Sequence, residues 1–178
     1  MNTIQIHDKS FGIFIDELAI LARVKELAQA ISLDFADTKP LFIAVLNGSF
    51  IFAADIMKSI EFPCEIQFVK VSSYHGAQSS GKVQQVLGLN QNIKGRKVII
   101  IEDIIDSGLT IDFLRTDLLK QEPESISICS LLLKPKALKV KLDVHYVGFE
   151  VENHFLVGYG LDYDGLGRNL RQLYQVIG

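Results

Sequence analysis

Short apolar runs alternate along the chain with stretches of helical periodicity. Residues 98–101 read Val-Ile-Ile-Ile, as expected of a strand buried on both faces, and Glu102-Asp103 mark its expected carboxyl end. The turn Asp106-Ser107-Gly108 comes next. An amphipathic helix is expected from Ile111, with Ile111, Leu114, Leu118 and Leu119 facing inward and Pro123 as its stop. Residues 41–46 repeat the pattern, with an apolar run after Pro40, a tight turn at Asn47-Gly48-Ser49 and a helical run over 50–60. Residues 65–72, 125–133 and 146–150 read as further strands. Leu18, Leu21, Val24, Leu27, Ala28 and Ile31 share one helical face, which leaves Arg23, Lys25 and Glu26 on a solvated side. The residues up to Phe14 have β-like character, and 169–177 read as helix-like packing. Strands alternating with helices predict an α/β fold, a mostly parallel twisted sheet flanked by helices, with its core over about 41–150.

At 178 residues the chain suits a single domain, 1–178. The 48% hydrophobic and 22% charged composition excludes a disordered chain. A net charge of -3 offers no electrostatic footprint for nucleic acid or an anionic membrane. No apolar run approaches a membrane span, and the first eight residues lack the blocks of a signal peptide, so a cytoplasmic location is expected. Cys64 and Cys129 lie in apolar surroundings and are expected to be reduced core residues, neither a disulfide nor a zinc site.

The chemistry concentrates at 98–110. A glycine-permitted turn leading into a helix aims free backbone N–H groups at one point, where the helix dipole also favours an anion. Ser107 and Thr110 add hydroxyl donors. Glu102, Asp103 and Asp106 would repel a bare phosphate and call for partners further along, such as ribose hydroxyls and a magnesium ion. Acids also cap helices, but three carboxylates behind an apolar strand exceed what a cap needs. Lys134 ends the 125–133 strand. A lysine there is commonly a solvated edge residue, yet parallel α/β sheets bind ligands beyond the carboxyl ends of their strands. Its ammonium can donate to a carbonyl oxygen but not to an amino group, so if the ligand is a purine Lys134 would select a six-oxo base over adenine.

The 98–110 stretch closely resembles the phosphoribosyl-diphosphate signature of the type I phosphoribosyltransferases, a hydrophobic run followed by Glu-Asp-x-x-Asp-Ser/Thr-Gly-x-Thr. The resemblance extends over nearly the whole chain and points to the hypoxanthine-guanine branch. It implies that the ends, about 1–14 and 151–178, form a small hood over the sheet's carboxyl edge. Within the signature it implies Ser107, Gly108, Leu109 and Thr110 for the sugar's 5-phosphate, Glu102 and Asp103 for the ribose and magnesium, and Asp106 as the base that takes the proton from the attacking ring nitrogen.

Beyond the signature, the resemblance implies a pyrophosphate loop at Leu46, Asn47 and Gly48 with a cis peptide at Leu46–Asn47. Many relatives carry Lys or Arg where this chain has Asn47, so a positive charge facing pyrophosphate is missing while the backbone contact is retained. Residues 73–90 are poor in apolar side chains and expected to be a mobile loop or loose hairpin. The resembled family has a closing loop there with a Ser-Tyr pair, matched by Ser73-Tyr74. In the tail it implies Phe155 stacking on the purine, Leu156 offering backbone groups to its edge, Asp162 near the base and a metal, and Arg168 at the pyrophosphate.

The expected reaction is phosphoribosyl transfer from phosphoribosyl diphosphate to hypoxanthine or guanine, with Mg2+ as cofactor, releasing IMP or GMP and pyrophosphate. Family members usually assemble as homodimers or homotetramers. The alternatives are a transferase for xanthine or another base, a regulatory relative that binds nucleotide and RNA, and a nucleotide-binding module without turnover. The absence of Gly-x-Gly-x-x-Gly after the first strand argues against a dinucleotide oxidoreductase.

Overall fold

A computed structural model describes residues 3–73, 83–89 and 91–177. Its elements in chain order are β1 (Thr3–Ile6), β2 (Lys9–Ile15), α1 (Glu17–Phe35), β3 (Leu41–Leu46), α2 (Phe50–Ser59), β4 (Glu65–Ser73), β5 (Val83–Leu87), β6 (Lys97–Ile105), α3 (Leu109–Leu119), β7 (Ser125–Leu133), β8 (Tyr146–Glu150), β9 (Leu156–Val157) and β10 (Leu173–Ile177). Six strands form one sheet in the order β5-β4-β3-β6-β7-β8. All its pairings are parallel except that of β5 with β4. The expected 73–90 loop falls partly on the β4–β5 hairpin, and Tyr74 lies outside the described residues.

The strands read as unbroken apolar runs because both faces of the sheet are covered. Phe42, Ala44, Ile99 and Ile101 point to the side that carries α1 and α2. Leu41, Ile43, Val45, Val98 and Ile100 point to the opposite side, against Ile111, Leu114 and Leu118 of α3. Within this core the Cys129 thiol is pushed up to about 12 by burial, which makes it an inert packing group. The second sheet, β1-β2-β10-β9, is antiparallel, closes over its own cluster of Ile6, Phe11, Val157 and Tyr174, and forms the expected hood.

Five expectations are corrected. The strand does not end at the acids, since β6 runs on to Ile105 with Ile104 and Ile105 paired to Leu132 and Leu133. Helix α3 correspondingly starts at Leu109, and Leu119 at its end is exposed. Helix α1 is capped by Asp16, whose carboxylate accepts from Ala19 N at 2.9 Å, and it buries Ile20 with Val24, Leu27, Ala28, Ile31 and Phe35. Leu18 lies off that stripe and is exposed. Arg23 is not idle on a solvated side: its guanidinium donates to the Gly148 and Val147 carbonyls at 2.8 Å, tying α1 to the edge strand β8. Finally, the helix-like end is the strand β10, because Leu-Tyr-Gln-Val-Ile is rich in β-formers and both β2 and β9 offer it backbone partners.

The order in which strands are added to the large sheet reverses at β3. The β3-α2-β4 unit moves one way, and β6 then pairs with the other side of β3 before α3 and β7 continue outward. A crevice beyond the carboxyl ends of β3 and β6 is the predicted ligand position of such a sheet.

Candidate active site

The crevice holds a cavity of about 220 Å³, lined by Val45, Leu46 and Gly48 from the end of β3 and by Glu102, Asp103, Asp106, Ser107, Gly108 and Thr110 from β6 and its turn. The signature residues and the turn after β3 therefore share one space, although more than fifty residues separate them in sequence. The Leu46–Asn47 peptide is cis, as expected. Gly108 is the N-cap of α3 with φ 79°, and it has no side chain to satisfy the helix's first N–H groups. Those donors, with the Ser107 and Thr110 hydroxyls beside them, suit a phosphate.

Glu102 and Asp103 are both buried. Burial first, and then the neighbouring Asp103 carboxyl, push the Glu102 carboxyl well above the usual carboxylate range. Two adjacent buried acids are costly when ionised without a partner, and polyhydroxyl donors or a divalent cation supply that partner. Among the described residues no group of three or more His, Cys, Asp or Glu side chains could hold a metal ion by itself. Glu102 and Asp103 could supply the one or two carboxylates by which magnesium is usually held together with water and substrate oxygens.

The centre of the site is built from backbone. A Cβ added to Gly48 would lie 1.6 Å from Asp103 Oδ2, and one added to Gly160 would lie 1.9 Å from the Gly48 carbonyl oxygen. Gly160 has φ 104°. At Gly160 only glycine fits, and at Gly48 a side chain would have to displace the Asp103 carboxylate, so the acid of β6, the loop after β3 and the hood's tail press closely together. Arg168 joins this contact by donating to the Gly160 carbonyl at 2.7 Å and pairing with Asp162 at 2.5 Å. Asp162 also accepts from Gly165 N at 2.7 Å. Tyr159, buried next to Gly160, donates to Asp55 of α2 at 2.6 Å and anchors the tail to the core. Burial raises the Tyr159 hydroxyl far above its ordinary range, so it stays a donor.

The residues expected at the base lie outside the cavity lining, and Lys134 connects to it through Asp106. Lys134 is buried, and its Nζ donates to Asp106 Oδ2 at 3.2 Å and to Asn153 Oδ1 at 3.3 Å. Its backbone N–H donates to Ile105 O at 2.9 Å, which fixes the β7 end beside the β6 end. Phe155 is 43% exposed, as a stacking surface must be. Phe11 backs it at 6.1 Å between ring centroids, and Tyr163 stands edge-on at 5.4 Å. Tyr163 is held in turn by Asp8, which accepts from its hydroxyl at 2.6 Å. Leu156 is buried in β9.

The structure thus gathers Leu46, Gly48, Glu102, Asp103, Asp106, Ser107, Gly108 and Thr110 around one cavity. Arg168 and Asp162 reach its rim through Gly160, and Lys134 meets it through Asp106. Leu109 begins α3 and is half-exposed, and Asn47 is exposed. Sequence reasoning missed Asn153, Gly160, Tyr159, Tyr163 and Asp8. The Gly-Tyr-Gly run at 158–160 was a readable sign of close backbone approach, whereas nothing local marks Asn153.

The phosphoribosyl transferase domain matches residues 14–164. The chain is 38% identical over 174 residues to a hypoxanthine-guanine phosphoribosyltransferase of Aquifex aeolicus, covering 97% of this chain and 98% of that one. It is 42% identical over 159 residues to the Streptococcus pyogenes protein of the same name, covering 89% and 88%. A crystal structure of a hypoxanthine-guanine phosphoribosyltransferase from Bacillus anthracis superposes with a TM-score of 0.89 at 41% identity, covering 93% of this chain and 98% of that one.

Proposed function

The chain belongs to the phosphoribosyl transferase family, and we propose that it is a purine-salvage enzyme that moves the 5-phosphoribosyl group from phosphoribosyl diphosphate to hypoxanthine or guanine. The observation that carries this reading is the β3/β6 crevice itself, a cradle of backbone and acids suited to phosphate and ribose, whose Asp106 accepts from Lys134, a donor suited to a six-oxo group.

In this reading the N–H groups at the start of α3, with Ser107 and Thr110, hold the 5-phosphate. Glu102 and Asp103 take the ribose hydroxyls. The loop Leu46-Asn47-Gly48 and Arg168 meet the pyrophosphate. Phe155 stacks on the purine, Leu156 offers backbone groups to its edge, and Lys134 donates to its six-oxo oxygen. Asp106 accepts the proton released as the ring nitrogen attacks the sugar carbon. Glu102 and Asp103, and at a second position Asp162, would hold magnesium, which when bound would supply neutralising charge for the departing pyrophosphate. The fixed acids stabilise positive charge at the sugar carbon as the leaving bond stretches. Assembly as a homodimer or homotetramer in the cytoplasm belongs to the same reading; exposed Leu18 and Leu33 on α1 support assembly, and light scattering tests it.

The deciding experiment incubates the protein with magnesium, phosphoribosyl diphosphate and each of hypoxanthine, guanine, xanthine and adenine, and follows monophosphate formation. Product with hypoxanthine or guanine and little with adenine is expected, and no product with any base sinks the reading. Chelation by EDTA should lower turnover roughly tenfold or more, with recovery on adding magnesium; full activity in EDTA removes the metal from the scheme. Gly48→Ala should cost about tenfold to 10²-fold in kcat/KM for phosphoribosyl diphosphate, because the new methyl displaces the Asp103 carboxylate. Wild-type kinetics in that variant would show that the Gly48–Asp103 contact is not needed.

A further inference from the structure

Lys134 is held by two acceptors of different kinds. Asp106 Oδ2 is a carboxylate oxygen at 3.2 Å, and Asn153 Oδ1 is a neutral amide oxygen at 3.3 Å. The lysine side chain is only 9% exposed whereas that of Asp106 is 55% exposed, so the ammonium is the enclosed partner and must find its acceptors in place. An ammonium has three N–H donors. Among the described residues two are taken by Asp106 and Asn153, which leaves a third direction for a ligand.

The turn that brings Asn153 over Lys134 is itself braced. Val151 N donates to Leu133 O at 2.8 Å, His154 N donates to Glu152 O at 2.7 Å, and Glu152 pairs with Lys136 at 2.8 Å. Asn153 thus follows directly from the registered ends of β7 and β8, and it stands two residues before Phe155.

The two acceptors differ in what the reaction does to them. If Asp106 takes the proton from the purine, it loses its charge in that step, and its hold on the ammonium weakens at the moment when the six-oxo group must stay fixed. The Asn153 amide does not titrate and keeps its oxygen in both states. We infer that Asn153 is a positioning residue for base specificity: its neutral oxygen keeps the Lys134 ammonium aimed at the purine's six-oxo oxygen while Asp106 changes charge. This rests on the reading of the site as a six-oxopurine transferase.

The test compares wild type, Asn153→Ala and Asn153→Asp in steady-state assays with hypoxanthine and adenine, with thermal melts alongside. In Asn153→Ala the KM for hypoxanthine should rise about three- to tenfold and the hypoxanthine-over-adenine ratio of kcat/KM fall by a similar factor, the loss expected for one hydrogen bond. The KM for phosphoribosyl diphosphate and the melting temperature should be unchanged, since Asn153 is exposed and, among the described residues, its side chain hydrogen-bonds to Lys134. Asn153→Asp keeps an acceptor oxygen and should restore most of the hypoxanthine KM. Unaltered base kinetics in Asn153→Ala, or an equal loss in both variants, overturns the inference while leaving the enzyme reading intact. A wild-type protein that makes no product with any purine overturns both.

Discussion

Asp106→Asn is expected to lower kcat by about 10²–10⁴-fold, the usual worth of a positioned general base. The substitution preserves shape, so an oxygen can still face Lys134 Nζ where Asp106 Oδ2 now accepts its hydrogen bond. What disappears is a group able to take a proton. Half of the aspartate side chain is open to the crevice, so the carboxylate reaches the ligand side without rearrangement. Because the loss falls on the chemical step, KM for phosphoribosyl diphosphate should move little and kcat should carry the effect. Steady-state kinetics on a variant with an unaltered melt is the check, and an unchanged kcat would remove Asp106 from the proton transfer.

Lys134→Gln is expected to reduce the preference for hypoxanthine over adenine by about 10²–10³-fold. A site that presents a buried donor rejects a ligand offering another donor at the same point, because neither is satisfied and both have left water. The Lys134 ammonium has donors only. A glutamine of similar length can turn either its carbonyl or its amide nitrogen to the ligand, so it can satisfy a six-amino group as well as a six-oxo group. The measurement is the ratio of kcat/KM for the two bases under identical donor concentration. A ratio equal to wild type would place base selection elsewhere on the Phe155 side of the crevice.

Much of the cavity was legible because its residues are consecutive. The 98–110 stretch carries its acids, turn and hydroxyls within one strand–turn–helix unit. Parallel strands were also legible, since burial on both faces leaves them apolar from end to end. The same property hid where β6 ends: the acids Glu102 and Asp103 lie within the strand because its carboxyl end opens into the crevice, where charge is tolerated. Strand β10 depends on partners more than a hundred residues away on one side, and no local periodicity reports them. Arg23 and Asn153 act through backbone and side chains from distant segments, so neither carries a local sign. The Gly48–Gly160 contact lies between these cases, with glycines visible in the sequence but not their mutual approach.

The division of the crevice into a backbone-built half and a side-chain-built half bears on how such a protein can change over generations. At Gly48 and Gly160 an added Cβ strikes the Asp103 carboxylate or main chain, so these two positions of the donor half offer no neutral single step. Around Lys134, Asn153 and Phe155 the fit depends on exchangeable groups, which one substitution at a time can retune. Drift and selection will therefore act chiefly on the acceptor, and a lineage can acquire a new base while inheriting its sugar-phosphate chemistry intact.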